Sequence, residues 1–159
     1  MKKNKMILII SGIWLVIDQV IKIIINNNMK VFDSINIVPN FFRIYFVKNK
    51  GAAFSMFSGM NIILIGISII AVIYTLRYIM KNEIINKTEI ISIGIILGGI
   101  VGNLIDRIVY GNVIDYLSFK LFGYDFAVFN FADIGIVVGV ILLLIHFLVG
   151  EKNGSKSRS

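Results

Sequence analysis

The sequence predicts an α-helical integral membrane protein with four transmembrane helices, both termini cytoplasmic, and a small outward-facing β-rich surface segment in the first outer loop. Three observations carry this. Of the 159 residues, 57% are apolar by a count that leaves out glycine, against about 45–50% with glycine included in soluble domains. The mean hydropathy is +0.87. The apolar residues gather into four runs, at about 6–25, 60–80, 88–106 and 133–149.

The charge-free parts of these runs are 6–17, 60–76, 90–105 and 134–149, near the short end of the roughly 17–25 residues that cross a bilayer. Flanking residues must complete each span, and they include Asp18, Lys22, Asp106, Arg107 and Asp133. Polar groups therefore stand at the membrane boundary itself.

Orientation follows from the cations. Lys2, Lys3, Lys5, Arg77, Lys81, Lys87, Lys152, Lys156 and Arg158 fall in three short segments outside the runs, and the other Lys and Arg are spread over 22–59 and 107–130. The positive-inside rule places the denser set in the cytoplasm, so the two longer connections face outward. The first run begins after Met1-Lys2-Lys3-Asn4-Lys5, as a signal peptide would. An uncleaved first span is the better reading, because no Ala-x-Ala-like site closes it and Asp18 and Lys22 interrupt its distal end.

Residues 26–59 are too long for a plain link. Val31–Val47 is rich in Ile, Phe, Val and Tyr, with the only proline, Pro39, near its middle, which predicts short strands at the membrane surface. The second connection, 107–132, mixes Tyr, Phe and Leu with polar residues and is expected to rest at the interface. Residues 150–159 form a polar, disordered tail to a single membrane domain, 1–159.

Composition excludes several chemistries. With no cysteine and one histidine, disulfides, thiolate metal sites, a Cys nucleophile and a His cluster are ruled out. The formal net charge of +7 suits topology and anionic lipid headgroups rather than nucleic acid in so apolar a chain.

Asp115 and Asp133 stand out instead. Each sits where an apolar run meets a polar break, in Gly111-Asn112-Val113-Ile114-Asp115 and Phe129-Asn130-Phe131-Ala132-Asp133. Carboxylates at bilayer depth are costly and usually face a partner or a wet cavity. Two on one side suggest a shared site, where burial and like charge push one of the two pKa values up. One ionised and one protonated carboxyl is what general base and general acid chemistry on a peptide bond requires. For each Asp alone, a helix cap or a solvated interface residue is an equal reading.

In the third run Gly94, Gly98 and Gly102 recur every four residues and lead to Asp106, while Gly99, Asn103 and Arg107 form a parallel stripe. Small residues at that spacing let membrane helices approach closely. Asp18 and Lys22, four apart, are expected to pair on one face as a structural ion pair. Trp14 and His146 are read as packing residues.

Together these residues resemble the lipoprotein signal peptidase family, also called signal peptidase II. Asp18-Gln19-Val20-Ile21-Lys22 is similar to the family's Asp-Gln-x-Thr-Lys element, with Ile21 where Thr is frequent. Asn49-Lys50-Gly51-Ala52-Ala53-Phe54 resembles its Asn-x-Gly-Ala-Ala-Phe element, and Gly98 through Arg107 its Gly-rich Asn-x-x-Asp-Arg element. Gly111–Tyr116 and Phe129–Asp133 match the two elements that carry the catalytic aspartates.

The resemblance implies an intramembrane aspartic endopeptidase of the bacterial cytoplasmic membrane, multi-pass, with its active site toward the outer face. It would remove the signal peptide of diacylglyceryl-modified prolipoproteins just before the lipid-bearing cysteine. Asp115 and Asp133 would be the dyad. Asn49, Asn103, Arg107 and Asn130 would bind substrate, and Asp18, Lys22, Gly99 and Asp106 would support the site. The implied partners are prolipoproteins, membrane lipid and globomycin-type inhibitors, with no metal, cofactor or nucleic acid. The rival readings are a small transporter or channel subunit, with the aspartates as an ion or proton path, and a non-catalytic scaffold. The clustering of polar residues at one end of the spans favours a site open to one side only.

Overall fold

A computed structural model describes residues 2–51, 59–81 and 86–156. Ala52, Ala53 and Phe54 of the small-residue element lie outside the described residues. The described residues form four long helices: α1 (Lys2–Asn28), α2 (Asn61–Lys81), α3 (Lys87–Tyr110) and α4 (Phe131–Lys156). All four are long and apolar enough to cross a membrane. At ~1.5 Å per residue the described helices reach or exceed the ~30 Å hydrocarbon thickness. The helix of the fourth run continues through Lys156, where a disordered tail was expected. The stretch after Gly150 lacks a proline, and an established helix adds residues easily once nucleated.

α3 is the central helix. It packs against α1, α2 and α4 and, among the described residues, is the only span with most of its apolar stretch buried within the protein. Its ends are set locally. Asn86 accepts from the Glu89 N–H at 2.9 Å while Glu89 accepts from the Asn86 N–H at 2.9 Å, a reciprocal cap that satisfies two orphan donors. At the other end Gly111 takes a left-handed conformation (φ 71) and donates to the Arg107 carbonyl, which stops the helix and turns the chain.

The glycines divide between two neighbours. A Cβ on Gly94 or Gly98 would lie within 3 Å of Ile10, Ser11 or Trp14 on α1. A Cβ on Gly99 would meet the Ala132 carbonyl and Ile136 on α4. On α4, Gly135 returns the contact against the Trp14 ring and Gly139 against the Ser92 carbonyl. Bare backbone on both sides lets three helices converge where side chains would hold them apart. Trp14 stacks on Phe131 with ring centroids 4.3 Å apart, and His146 of α4 lies 3.7 Å from Glu89 of α3, far along α4 from Asp133.

The β structure is larger than the sequence predicts. The first connection supplies β1 (Ser34–Val38) and β2 (Phe42–Asn49), with Pro39 in the turn between them. The second connection supplies β3 (Val113–Leu121) and β4 (Tyr124–Asp125). All four join in one antiparallel sheet in the order β1-β2-β3-β4. β3 escapes simple patterning because most of it is buried on both faces, which removes the polar alternation that marks a half-exposed strand. Phe46, Ile114 and Tyr116 pack with Ile21 and Ile25 of α1 and with Met29 just beyond its end, and this apolar cluster docks the sheet on the end of the bundle.

Candidate active site

The site forms where α1, α3 and α4 meet the sheet. β3 leaves the α3 cap directly and carries Asp115, which is 2% exposed. A register shift in β2 between Ile44 and Val47 sets Val47 opposite Asp115 and Asn49 opposite Val113. The bulge thus turns the end of β2 toward the carboxylate, and Asn49 Nδ2 donates to Asp115 Oδ2 at 2.8 Å. The other oxygen, Oδ1, accepts from Asn130 Nδ2 at 2.7 Å.

Asp133 lies in the first turn of α4 and shares a reciprocal cap with Asn130. The Asp133 N–H donates to Asn130 Oδ1 at 3.0 Å, and the Asn130 N–H donates to Asp133 Oδ2 at 3.2 Å. Asn103 Nδ2 donates to Asp133 Oδ1 at 2.7 Å. Asn130 is therefore shared. Its backbone N–H donates to the carboxylate of Asp133 and its side-chain N–H to that of Asp115, so helix capping and site geometry are one feature.

Behind the aspartates lies a buried ionic cluster. Lys22 Nζ is 2.8 Å from Asp18 Oδ2 and 3.0 Å from Asp106 Oδ2, with all three side chains at most 1% exposed. Gln19 Nε2 bridges Asp18, Asp106 and the Gly102 carbonyl at 3.1–3.2 Å. Asp18 Oδ1 accepts from the Ala132 N–H at 2.9 Å, and Asp106 Oδ2 from the Ile114 N–H at 3.1 Å. Each acid thus ties an α4 or β3 backbone donor to the ammonium. Lys22 also donates to Asn103 Oδ1 at 2.9 Å, beside the Asn130 amide at 3.1 Å. With two donors on that oxygen, the Asn103 amide has its nitrogen directed at Asp133.

Asp115 and Asp133 line one cavity of about 610 Å³ with Asn49, Asn103 and Arg107. Apart from Ser68 of α2, its other walls are apolar, among them Ile134, Val137 and Val138 of α4, Ile100 of α3, and Phe126–Phe129. Arg107 donates to the Gly51 carbonyl at 3.3 Å and the Asn103 carbonyl at 3.4 Å. Asn130 stands behind this wall, bridging the aspartates. Burial pushes the Asp115 carboxyl up to about 7, and the nearby charge of Asp133 adds to it, against the hydrogen bonds from Asn49 and Asn130.

The sequence leaves two contributors unmarked. Residues 126–129 wall the cavity because Phe129 bridges Leu117 of β3. Tyr116 accepts from the Phe131 N–H at 3.2 Å and so ties β3 to the start of α4. The aromatic richness of the second connection was the available signal for the first. For the second there was none.

A family model described as signal peptidase II matches residues 10–149. The chain belongs to the signal peptidase II family. The lipoprotein signal peptidases of Staphylococcus aureus strains JH9 and Newman are 36% identical over 146 residues, covering 92% of this chain and 90% of theirs. A bacterial membrane enzyme solved by the in meso method at 2.3 Å resolution superposes with a TM-score of 0.87 at 35% identity, over 92% of this chain and 90% of that one. A second such structure, at 1.9 Å, gives 0.81 at 36% identity, over 89% and 92%. Membership of the signal peptidase II family assigns the chain its activity, removal of the signal peptide from prolipoproteins. The transport reading is not favoured.

Proposed function

We propose that the peptidase is of the aspartic type and that Asp115 and Asp133 are its dyad. The observation that carries the proposal is their convergence on one cavity from two elements, with all four carboxylate oxygens held by N–H donors. Asp115, whose carboxyl is raised to about 7, holds the proton near neutrality. Asp133 is the base. It takes a proton from a water molecule, whose oxygen attacks the scissile carbonyl carbon. Asp115 gives its proton to the carbonyl oxygen as the tetrahedral diol forms. In collapse, Asp115 recovers a proton from a diol hydroxyl, and Asp133 passes its own to the leaving nitrogen as the C–N bond breaks. Both carboxyls end as they began.

The other roles follow from placement. Asn49, Asn103 and Arg107 line the cavity and would hold the substrate backbone, with Asn130 setting both aspartates from behind. Gly99, Asp18, Lys22 and Asp106 support the site through helix approach and the buried cluster. The apolar walls suit a helical signal peptide in the bilayer, with the scissile bond just before a diacylglyceryl-modified cysteine. The bacterial relatives support a bacterial cytoplasmic membrane location, and the cation distribution supports cytoplasmic termini with the site facing outward. Membrane lipid and globomycin-type inhibitors would reach the same open cavity.

The test is cleavage of a lipidated prolipoprotein by purified protein in lipid, comparing wild type with Asp115→Asn and Asp133→Asn. Loss of product in each folded variant is expected. Wild-type turnover in both would sink the dyad.

A further inference from the structure

The hairpin joining β3 and β4 is built against the ordinary rules for water. Its central residues, Phe122 and Gly123, both have positive φ, 52 and 86. A two-residue connection of that kind favours Asn-Gly or Asp-Gly, because a bulky side chain is strained in the left-handed region. The turn between β1 and β2 obeys this preference, with Asn40 holding φ 59. Phe122 does not, and its side chain is also 100% exposed, beside Tyr124 at 81% and Leu121 at 41%. Strain and a bare aromatic ring coincide at Phe122, and no ring contact among the described residues offsets them. Phe32 also combines a positive φ of 74 with a ring 67% exposed, but that ring lies 6.5 Å from Tyr45.

We propose that the hairpin tip, Leu121–Tyr124, is an interfacial anchor whose occupant is the headgroup–acyl boundary of the bilayer. Three further observations select lipid. The hairpin is tethered at both ends by spanning helices, α3 ending at Tyr110 and α4 starting at Phe131, so its base already lies at the membrane boundary. Alternation places Leu117, Phe119 and Leu121 on the Asp115 face of β3. Phe119 stacks on Phe129 at 5.7 Å, and Phe129 and Phe126 line the cavity. Ring contacts thus link the cavity wall to the strand that ends at the tip. Lys120, exposed and paired across the ladder with Asp125, stands where a cation meets phosphate when neighbouring aromatics enter the interface.

The consequence for the enzyme is depth control. Asp115 and the tip share one strand, about 20 Å apart at ~3.3 Å per residue. Anchoring the tip therefore fixes the height of the carboxyl relative to the membrane surface. The inference rests on the membrane assignment and not on the dyad, so a failed cleavage assay leaves it standing.

The chain has no cysteine, so Leu121→Cys takes a single nitroxide label in the full-length protein and leaves the Phe122 and Tyr124 rings in place. The protein is placed in phosphatidylethanolamine–phosphatidylglycerol liposomes, with Ile70→Cys on α2 as the hydrocarbon reference and free cysteine carrying the same label in buffer as the aqueous one. The Leu121 label should be shielded from a water-soluble nickel relaxant on the order of tenfold relative to the free label, the scale of partition for burying an apolar side chain. It should collide with oxygen as the Ile70 label does. Equal nickel exposure of the Leu121 label and the free label would overturn the anchor. Shielding that appears only after prolipoprotein is added would give the tip to the substrate and equally overturn it. Phe122→Asn, which suits the turn, should keep or raise Tm in detergent while cleavage in liposomes falls several-fold. A lowered Tm would make the ring a folding element and count against the proposal.

Discussion

Replacing Asp115 with Asn should stabilise the protein above neutral pH while abolishing cleavage. Burial and the neighbouring Asp133 raise the Asp115 carboxyl from 3.8 to about 7. The native state therefore holds a proton that the unfolded chain releases near pH 4. Between those values the native state binds more protons than the unfolded one, so stability falls as pH rises and the loss is complete just above 7. A shift of about 3 units at ~1.4 kcal/mol each amounts to roughly 4 kcal/mol. Asparagine removes that cost, but its amide nitrogen must face the Nδ2 donor of Asn49 or Asn130. One lost hydrogen bond with a buried donor left over costs about 1–3 kcal/mol. The net gain at pH 8 is about 1–3 kcal/mol, or a Tm rise of several degrees at ~2–4 °C per kcal/mol. Thermal unfolding in detergent at pH 5, 6.5 and 8 should show the gap between Asp115→Asn and wild type widening with pH. A gap that is constant, or a variant less stable than wild type at pH 8, would refute the argument.

The same proton predicts that kcat/KM for a lipidated prolipoprotein falls as pH rises through about 7, read from initial rates on folded enzyme. Lys22→Met leaves Asp18 and Asp106 buried without their cation and should cost about 3–5 kcal/mol of stability. Adding Asp18→Asn should recover most of the Tm, yet kcat stays low because one of the two donors that direct the Asn103 amide at Asp133 is gone. Gly99→Ala drives a methyl into the Ala132 carbonyl, one residue from Asp133. The helices must part, and kcat should fall about a hundredfold for a displacement near 1 Å, with the four-helix fold retained by circular dichroism.

The sequence marks the spans well because lipid demands unbroken apolar runs with internally satisfied backbone. It marks their ends less well, since the completing residues, such as Asp18 and Lys22, are polar for reasons outside the helix. The pairing of Lys22 with Asp18 is legible at a spacing of four. Its bond to Asn103, 81 residues away, is not, and neither is the second acid, Asp106. The glycine spacing shows close approach but not that Gly98 faces α1 while Gly99 faces α4. β3 is hidden for a different reason: its partner β2 lies in the other connection, and burial on both faces erases the period of two.

That hidden strand explains why the aspartates were visible before the site was. Asp115 and Asp133 announce themselves because a carboxyl beside an apolar run is expensive. What joins them is mostly neutral amide. Asn130 caps α4, donates to Asp115 and touches Asn103, which reaches Asp133 on one side and Lys22 on the other. Asparagine at the end of an apolar run reads as an ordinary cap, so the signal for bridging is submerged in the signal for capping. The arrangement has a physical logic beyond economy. An amide bridge carries no charge of its own, so it holds two carboxyls in register without forming an ion pair with either. A cationic bridge at that position would hold Asp115 ionised and remove the acid. Keeping Lys22 one amide away lets the cluster orient the site while leaving a proton on Asp115 near neutral pH.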